Sequence, residues 1–139
     1  MSDEGLRDLI ADSRLASLAT IKKDGRPQLS NVVYVYHREH DVLHVSVTAG
    51  RAKTHNLQRD PRASLLVNGN DGWKYTAADV DAELGPVCAD PNDESVEALV
   101  KLYRTLQGEH DDWEEYREAM VRERRQPLLL RITHLYGTA

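Results

Sequence analysis

Leu15-Ala16-Ser17-Leu18-Ala19-Thr20-Ile21, Lys22-Lys23-Asp24-Gly25 and Gln28-Leu29-Ser30-Asn31-Val32-Val33-Tyr34-Val35-Tyr36 read as strand, turn and strand. Val and Tyr favour a pleated, half-buried surface, and Asp-Gly supplies the positive φ that a tight hairpin needs. The same reading extends outward. A strand is predicted over Val42–Val47 after the polar turn His37–Asp41, another over Ala63–Asn68, and a long one over Trp73–Leu84 after the turn at 68–72. Ahead of them, Leu6, Leu9 and Ile10 share one face of a predicted helix ending near Arg14. A short helix is expected over Lys53–Gln58, stopped before Asp60-Pro61 because the residue preceding proline resists the helical region. The period then changes. Val96, Leu99, Val100, Tyr103 and Leu106 lie on one helical face behind Asn92 or Asp93 as cap. A second helix is predicted from Asp111 with Glu114 as a capping box, burying Trp113, Tyr116, Met120 and Val121. Pro127 marks its end, and Leu128–Tyr136 reads as a closing strand. The expectation is a mainly β domain over 1–139. It has a short N-terminal helix, strands from about 15, two helices inserted at about 93–125 and a last strand at about 128–136. Successive hairpins imply an antiparallel small barrel or sandwich, not a doubly wound α/β sheet.

Composition narrows the function. A chain of 139 residues with 18 Lys+Arg, 23 Asp+Glu and net charge −5 is expected to be globular and not a dedicated nucleic-acid binder. The single cysteine, Cys88, excludes an internal disulfide and a multi-cysteine metal site, and a reducing cytoplasm fits. Cys88 reads as a bystander near Gly85-Pro86, since no sequence neighbour would activate it. The polar opening Met1-Ser2-Asp3-Glu4-Gly5 lacks the pattern of a signal peptide, and no apolar run has membrane-spanning length. His37, His40, His44, His55, His110 and His134 form no metal-binding spacing, and neither a nucleophile elbow nor a P-loop is present.

Chemistry therefore falls to Arg51-Ala52-Lys53-Thr54-His55-Asn56-Leu57. Two cations stand where a strand ends, a Thr48-Ala49-Gly50 turn intervenes and a helix begins. Free backbone N–H groups and the positive end of a helix dipole gather at such a place, so it suits a phosphate. Arg51 supplies a planar fork and Lys53 a point charge. Asn56, three residues on, either faces the same ligand or makes a helix-terminal hydrogen bond.

Arg26-Pro27-Gln28-Leu29-Ser30-Asn31, then Arg51 to Leu57, then Asp60-Pro61-Arg62-Ala63-Ser64 follow one another in an order that resembles the split β-barrel flavin and deazaflavin oxidoreductases, the pyridoxamine 5'-phosphate oxidase-like family. Asp71-Gly72-Trp73, Val96-Glu97-Ala98-Leu99, Gly108-Glu109-His110, Asp112-Trp113 and Tyr116-Arg117 resemble its coenzyme F420-dependent subgroup. The resemblance runs from about Leu15 to Gly137. It implies a six-stranded antiparallel FMN-binding-type split barrel and a homodimer with cofactor sites at the subunit interface. It also implies a cofactor phosphate on the Arg-x-Lys element and a tricyclic ring on barrel strands.

On this basis the candidate cofactor-binding residues are Gln28, Ser30, Asn31, Ser46, Arg51, Lys53, Asn56, Trp73 and Tyr75. Strand alternation puts Gln28 and Ser30 on one face and Asn31 on the other, so backbone groups or a bulge near Pro27 must complete the set. Asn31 shares its face with Leu29, Val33 and Val35, where an amide needs a partner. Ser46 shares a face with His44 and Thr48 and is either a ligand contact or an ordinary strand residue. Trp73 and Tyr75 alternate onto one face, as pocket wall or as core and dimer packing. The expected activity is hydride transfer between reduced deazaflavin (coenzyme F420) and an unsaturated small organic substrate. The cofactor carries the reaction and Tyr75 is a possible proton source. FMN is the alternative cofactor. A cofactor carrier, or a haem-binding or stress-response module, is the non-enzymatic alternative.

Overall fold

The computed structural model describes residues 3–139; Met1 and Ser2, part of the polar opening, lie outside the described residues. In chain order the elements are α1 (Asp3–Ala11), β1 (Leu15–Ile21), β2 (Pro27–His37), β3 (Val42–Thr48), α2 (Ala52–Arg59), β4 (Arg62–Asn68), β5 (Tyr75–Leu84), α3 (Glu94–Gln107), α4 (Trp113–Arg122) and β6 (Arg125–Thr138). The strands close antiparallel in the order β1-β2-β3-β6-β5-β4, so the expected six-stranded barrel is what forms. Its interior is the alternate-residue set that the sequence pattern marks. Leu18, Val32, Tyr34, Leu43, Val45, Val67, Val80, Leu128 and Leu130 are all buried. Gly25 takes φ +89 in the β1–β2 turn, the left-handed conformation expected there.

Helices close the two ends. At one end α1 inserts Leu6 and Ile10. The carbonyl of Ile10 accepts from Tyr34 Oη at 2.7 Å, and that of Leu6 accepts from Thr76 Oγ1 at 2.8 Å. Arg7 clamps Asp41 with Nε and Nη2 at 3.0 and 2.7 Å. At the other end α2 buries Thr54, Asn56 and Leu57. A second core of Cys88, Val96, Leu99, Val100, Leu102 and Met120 sits under α3 and α4, outside the barrel.

Several boundaries depart from the sequence reading. The first helix starts at Asp3 and stops at Ala11, so Arg14 is outside it. The α4 cap is Asp112, not Asp111: its carboxylate accepts from Glu115 N at 3.1 Å, while His110 Nδ1 accepts from Asp112 N and shifts the start by one residue. In that helix Met120 is buried, whereas Trp113, Tyr116 and Val121 are half-buried. Trp73 precedes β5, because Asp71 Oδ1 accepts from the amides of Trp73 and Lys74 and holds both in a turn. Pro127 lies inside β6 and does not precede it. Its carbonyl accepts from Gly85 N at 2.9 Å; the return bond that proline cannot donate is replaced by Gln126 Nε2, which reaches the Gly85 carbonyl at 2.9 Å.

Candidate functional site

The barrel is split on one side. Strand β2 pairs with β3 only over Tyr34–His37 against Val42–Val45. Before that, Pro27 to Val33 pair with β1 alone, and Ser46 to Thr48 pair with β6 alone. The two strands diverge toward the α2 end and leave backbone edges without a sheet partner across the gap. The first half of β2 and the second half of β3 therefore border an opening between strand edges that do not pair with each other.

This opening holds a cavity of about 380 Å³ lined by Gln28, Ser30, Ser46, Val47, Thr48, Arg51, Ala52, Lys53 and Arg125. Five of the residues singled out in the sequence thus meet at one place: Gln28, Ser30, Ser46, Arg51 and Lys53. Gly50, at φ +85, turns the chain from β3 into α2. Arg51 is the extended N-cap residue and makes no side-chain capping bond, so the first amides of α2 have no side-chain acceptor. Thr54 Oγ1 donates to the Thr48 carbonyl at 2.9 Å and fixes that helix turn to the strand end.

Electrostatically the cavity is a cluster of cations without a carboxylate in its lining. Burial pushes the Lys53 ammonium below its ordinary pKa, and the charges of Arg51 and Arg125 push it the same way. Arg125 has a carboxylate neighbour, Glu123, at 3.2 Å on the exposed side. An anion entering the cavity relieves this repulsion, and the uncapped α2 amides add donors for it.

Arg125 escaped sequence reasoning because it closes the charged run Arg122-Glu123-Arg124-Arg125, which suits a helix C-terminus. The available signal was its place just ahead of the apolar run at Leu128. That run extends into a strand, and the register sets Arg125 opposite Thr48 at the cation site.

The remaining candidates lie elsewhere in the chain. Asn56 is buried and points inward; it meets the cavity only through Gln28, to whose Oε1 it donates at 2.9 Å. Asn31 is exposed on the outer face of β2, beside Leu29 and Val33, and does not line the cavity. Trp73, 84% exposed, and Tyr75 lie at the opposite end of the barrel, where Tyr75 pairs with Thr138 while the cavity borders Arg125 at the start of β6. A single chain does not bring them to the cavity.

Other candidate groups are spent on structure. The Cys88 thiol is buried, and that burial, reinforced by Asp93, raises its pKa to about 11. His37 and His44 approach to 4.2 Å between ring centres. They line a separate cavity of about 490 Å³ between α3 and the outer faces of β2 and β3.

The sequence matches the pyridoxamine 5'-phosphate oxidase family over residues 2–138. Among solved structures, an F420 reductase is 22% identical over 94% of each chain with a TM-score of 0.70. A FAD-binding protein from Mesorhizobium loti is 19% identical, covering 99% of this chain and 92% of its own, with a TM-score of 0.69. A heme storage protein from Vibrio cholerae is 15% identical, covering 97% and 96%, with a TM-score of 0.68. At these identities the likeness is one of fold, carried by proteins with three different ligands.

Proposed function

For a chain that belongs to the pyridoxamine 5'-phosphate oxidase family, we propose an oxidoreductase that binds a phosphorylated flavin or deazaflavin in the split of its barrel, with coenzyme F420 as the preferred cofactor. The observation that carries this reading is the convergence of Arg51, Lys53 and Arg125 at the uncapped start of α2, beside the polar strand residues Gln28, Ser30 and Ser46. A phosphate fits the cations and helix amides, and a ring fits the diverging strands. When bound, such a cofactor supplies hydride transfer to or from an unsaturated small organic substrate. The chain's own residues bind the phosphate, orient the ring and exclude water from it. No acid–base pair lines the cavity, which agrees with a protein that positions a reactive cofactor. The order of motifs that resembles the F420-dependent subgroup favours deazaflavin over FMN in this reading.

The site is proposed to be completed by a second copy. Leu15, Leu29 and Val33 are 53%, 72% and 45% exposed on the outer face of β1 and β2, an apolar patch that suits a homodimer interface. In such a dimer Trp73 and Tyr75 are proposed to wall the partner's cavity. A cytoplasmic location is part of the proposal; no helix among the described residues is long and apolar enough to cross a membrane.

Spectral titration of the purified protein with deazaflavin and with FMN, against a ligand-free control, tests the reading. Saturable deazaflavin binding with turnover of an added acceptor is expected. Micromolar or tighter FMN binding without deazaflavin binding moves the assignment to a flavoprotein of the same fold. Tight cofactor binding with no redox turnover identifies a carrier or binding module.

A further inference from the structure

Three side chains beneath the cavity form a hydrogen-bond chain with a fixed direction. Arg59, at the exposed end of α2, donates through Nη2 to the Ile21 carbonyl at 2.8 Å and to Asn56 Oδ1 at 2.9 Å. A guanidinium only donates, so the Asn56 amide must turn its oxygen toward Arg59. Its nitrogen then faces the other way. Asn56 Nδ2 donates both hydrogens, to Thr20 Oγ1 at 3.0 Å and to Gln28 Oε1 at 2.9 Å. Thr20 and Asn56 are buried, at 1% and 6% exposure, so the Asn56 amide orientation is set by these partners and not by bulk water. Gln28 turns its oxygen toward Asn56, which leaves Nε2, with no acceptor among the described residues, as the other end of a side chain that lines the cavity.

We propose that Arg59 and Asn56 are positioning residues that hold Gln28 as an obligate hydrogen-bond donor toward the bound ring. The cavity thereby selects ligands that present a lone pair (a carbonyl oxygen or an unprotonated ring nitrogen) at the edge nearest Gln28, and rejects ligands that present an N–H there. The inference rests on the reading that the split holds a ring-bearing phosphorylated cofactor. It adds a neutral donor on β2, separate from the cation cluster of Arg51 and Lys53. A reversed amide at either link would leave a buried donor facing a donor, which fixes the direction of the whole chain.

Asn56→Asp tests the direction. The new carboxylate still accepts from Arg59, and Thr20 can rotate its hydroxyl to donate, so the packing and the Arg59 contact survive. Gln28 must then turn Nε2 toward residue 56 and show Oε1 to the cavity. Two ligands are titrated into the full-length wild type and N56D: coenzyme F420 as the ring cofactor, and inorganic pyrophosphate. N56D is expected to lose about tenfold or more in ring-cofactor affinity while pyrophosphate affinity stays within twofold. Equal ring-cofactor affinity in a folded N56D overturns the proposal, as does parallel loss of both ligands.

Side-chain amide NMR reads the relay without any cofactor, with the Gln28 signal identified by its disappearance in Q28E. In N56D those hydrogens should move downfield and exchange more slowly, because they now bind a carboxylate. Unchanged signals overturn the relay even if no ring cofactor binds, whereas shifted signals with no ring binding by the wild type sustain the relay and remove the functional reading beneath it. Arg59→Met, at an exposed position, serves if N56D does not fold. Partial loss of ring affinity with unchanged pyrophosphate affinity is expected there, and no loss overturns the proposal.

Discussion

At the scale of single residues, Lys53 separates binding from folding. Burial and two neighbouring guanidinium groups lower its pKa, so the folded chain holds that proton less tightly than the unfolded one. The sign follows: this group's contribution to stability rises with pH through the window just below the ordinary lysine value, and its charge works against folding at neutral pH. Lys53→Ala should therefore leave the melting temperature of the ligand-free protein unchanged or slightly higher. The same substitution removes a charge-assisted bond to the bound phosphate and should weaken cofactor binding by about 1.5–3 kcal/mol. Thermal melts and cofactor titration on one preparation check both halves; a lower melting temperature with intact affinity would make Lys53 structural. The candidate residues that the sequence brings to one cavity without the fold are those whose placement is local. Arg51 and Lys53 announce themselves by standing between a glycine turn and a helix start. Asn56 did not, because its partners Thr20 and Gln28 are 36 and 28 residues away, and only the closed barrel shows that the amide is used inward.

At the scale of elements, the strands and their turns were legible and the ends of the elements were not. β1 has the expected bounds, since period-2 burial and the Asp-Gly turn agree. The α4 start and the β5 start moved because side chains of His110 and Asp71 capture backbone amides, contacts that no periodicity encodes. Pro127 misled for a similar reason. The sequence reading makes it the helix end ahead of a strand from Leu128, but α4 already ends at Arg122 and β6 starts at Arg125, because the Gln126 side chain replaces the donor that a proline inside a strand lacks. The far end of β6 carries a tighter constraint. Gly137 has φ +138, and a β-carbon placed there would lie 2.3 Å from the Tyr75 carbonyl oxygen, against backbone that cannot yield without breaking the β5–β6 pairing. Gly137→Ala should destabilise the fold toward the upper part of the roughly 0.5–3 kcal/mol range of point substitutions. Denaturant unfolding measures it. Since Tyr75 is at the clash and the cation cavity is at the opposite barrel end, pyrophosphate affinity of the folded fraction should not change.

At the scale of the whole molecule, β2 does two jobs with its two faces. Gln28 and Ser30 look into the split, while Leu29 and Val33 look outward, next to Leu15, which the register sets opposite Val33. Sequence alternation foretold the two faces but not which one was open to solvent. That depends on the barrel curling toward Val32 and Tyr34, a consequence of long-range closure through β4 and β6. An isolated chain with this patch leaves a leucine 72% exposed, whereas the proposed pairing of two copies through it would gain about 25 cal/mol per Å² of apolar area removed from water. Placing a charge there should reverse the balance. Leu29→Glu is expected to convert a dimer into a monomer in light scattering after gel filtration, with the melting behaviour of each barrel retained, because Leu29 contributes nothing to the interior. A wild type that already runs as a monomer at micromolar concentration sinks the dimer. If the dimer is real and the partner completes the cavity, the monomeric variant should also bind the ring cofactor more weakly than pyrophosphate reports, although no residue lining the cavity has changed. Retained ring affinity in a proven monomer would show that one chain is sufficient and that Trp73 and Tyr75 have no part in the site.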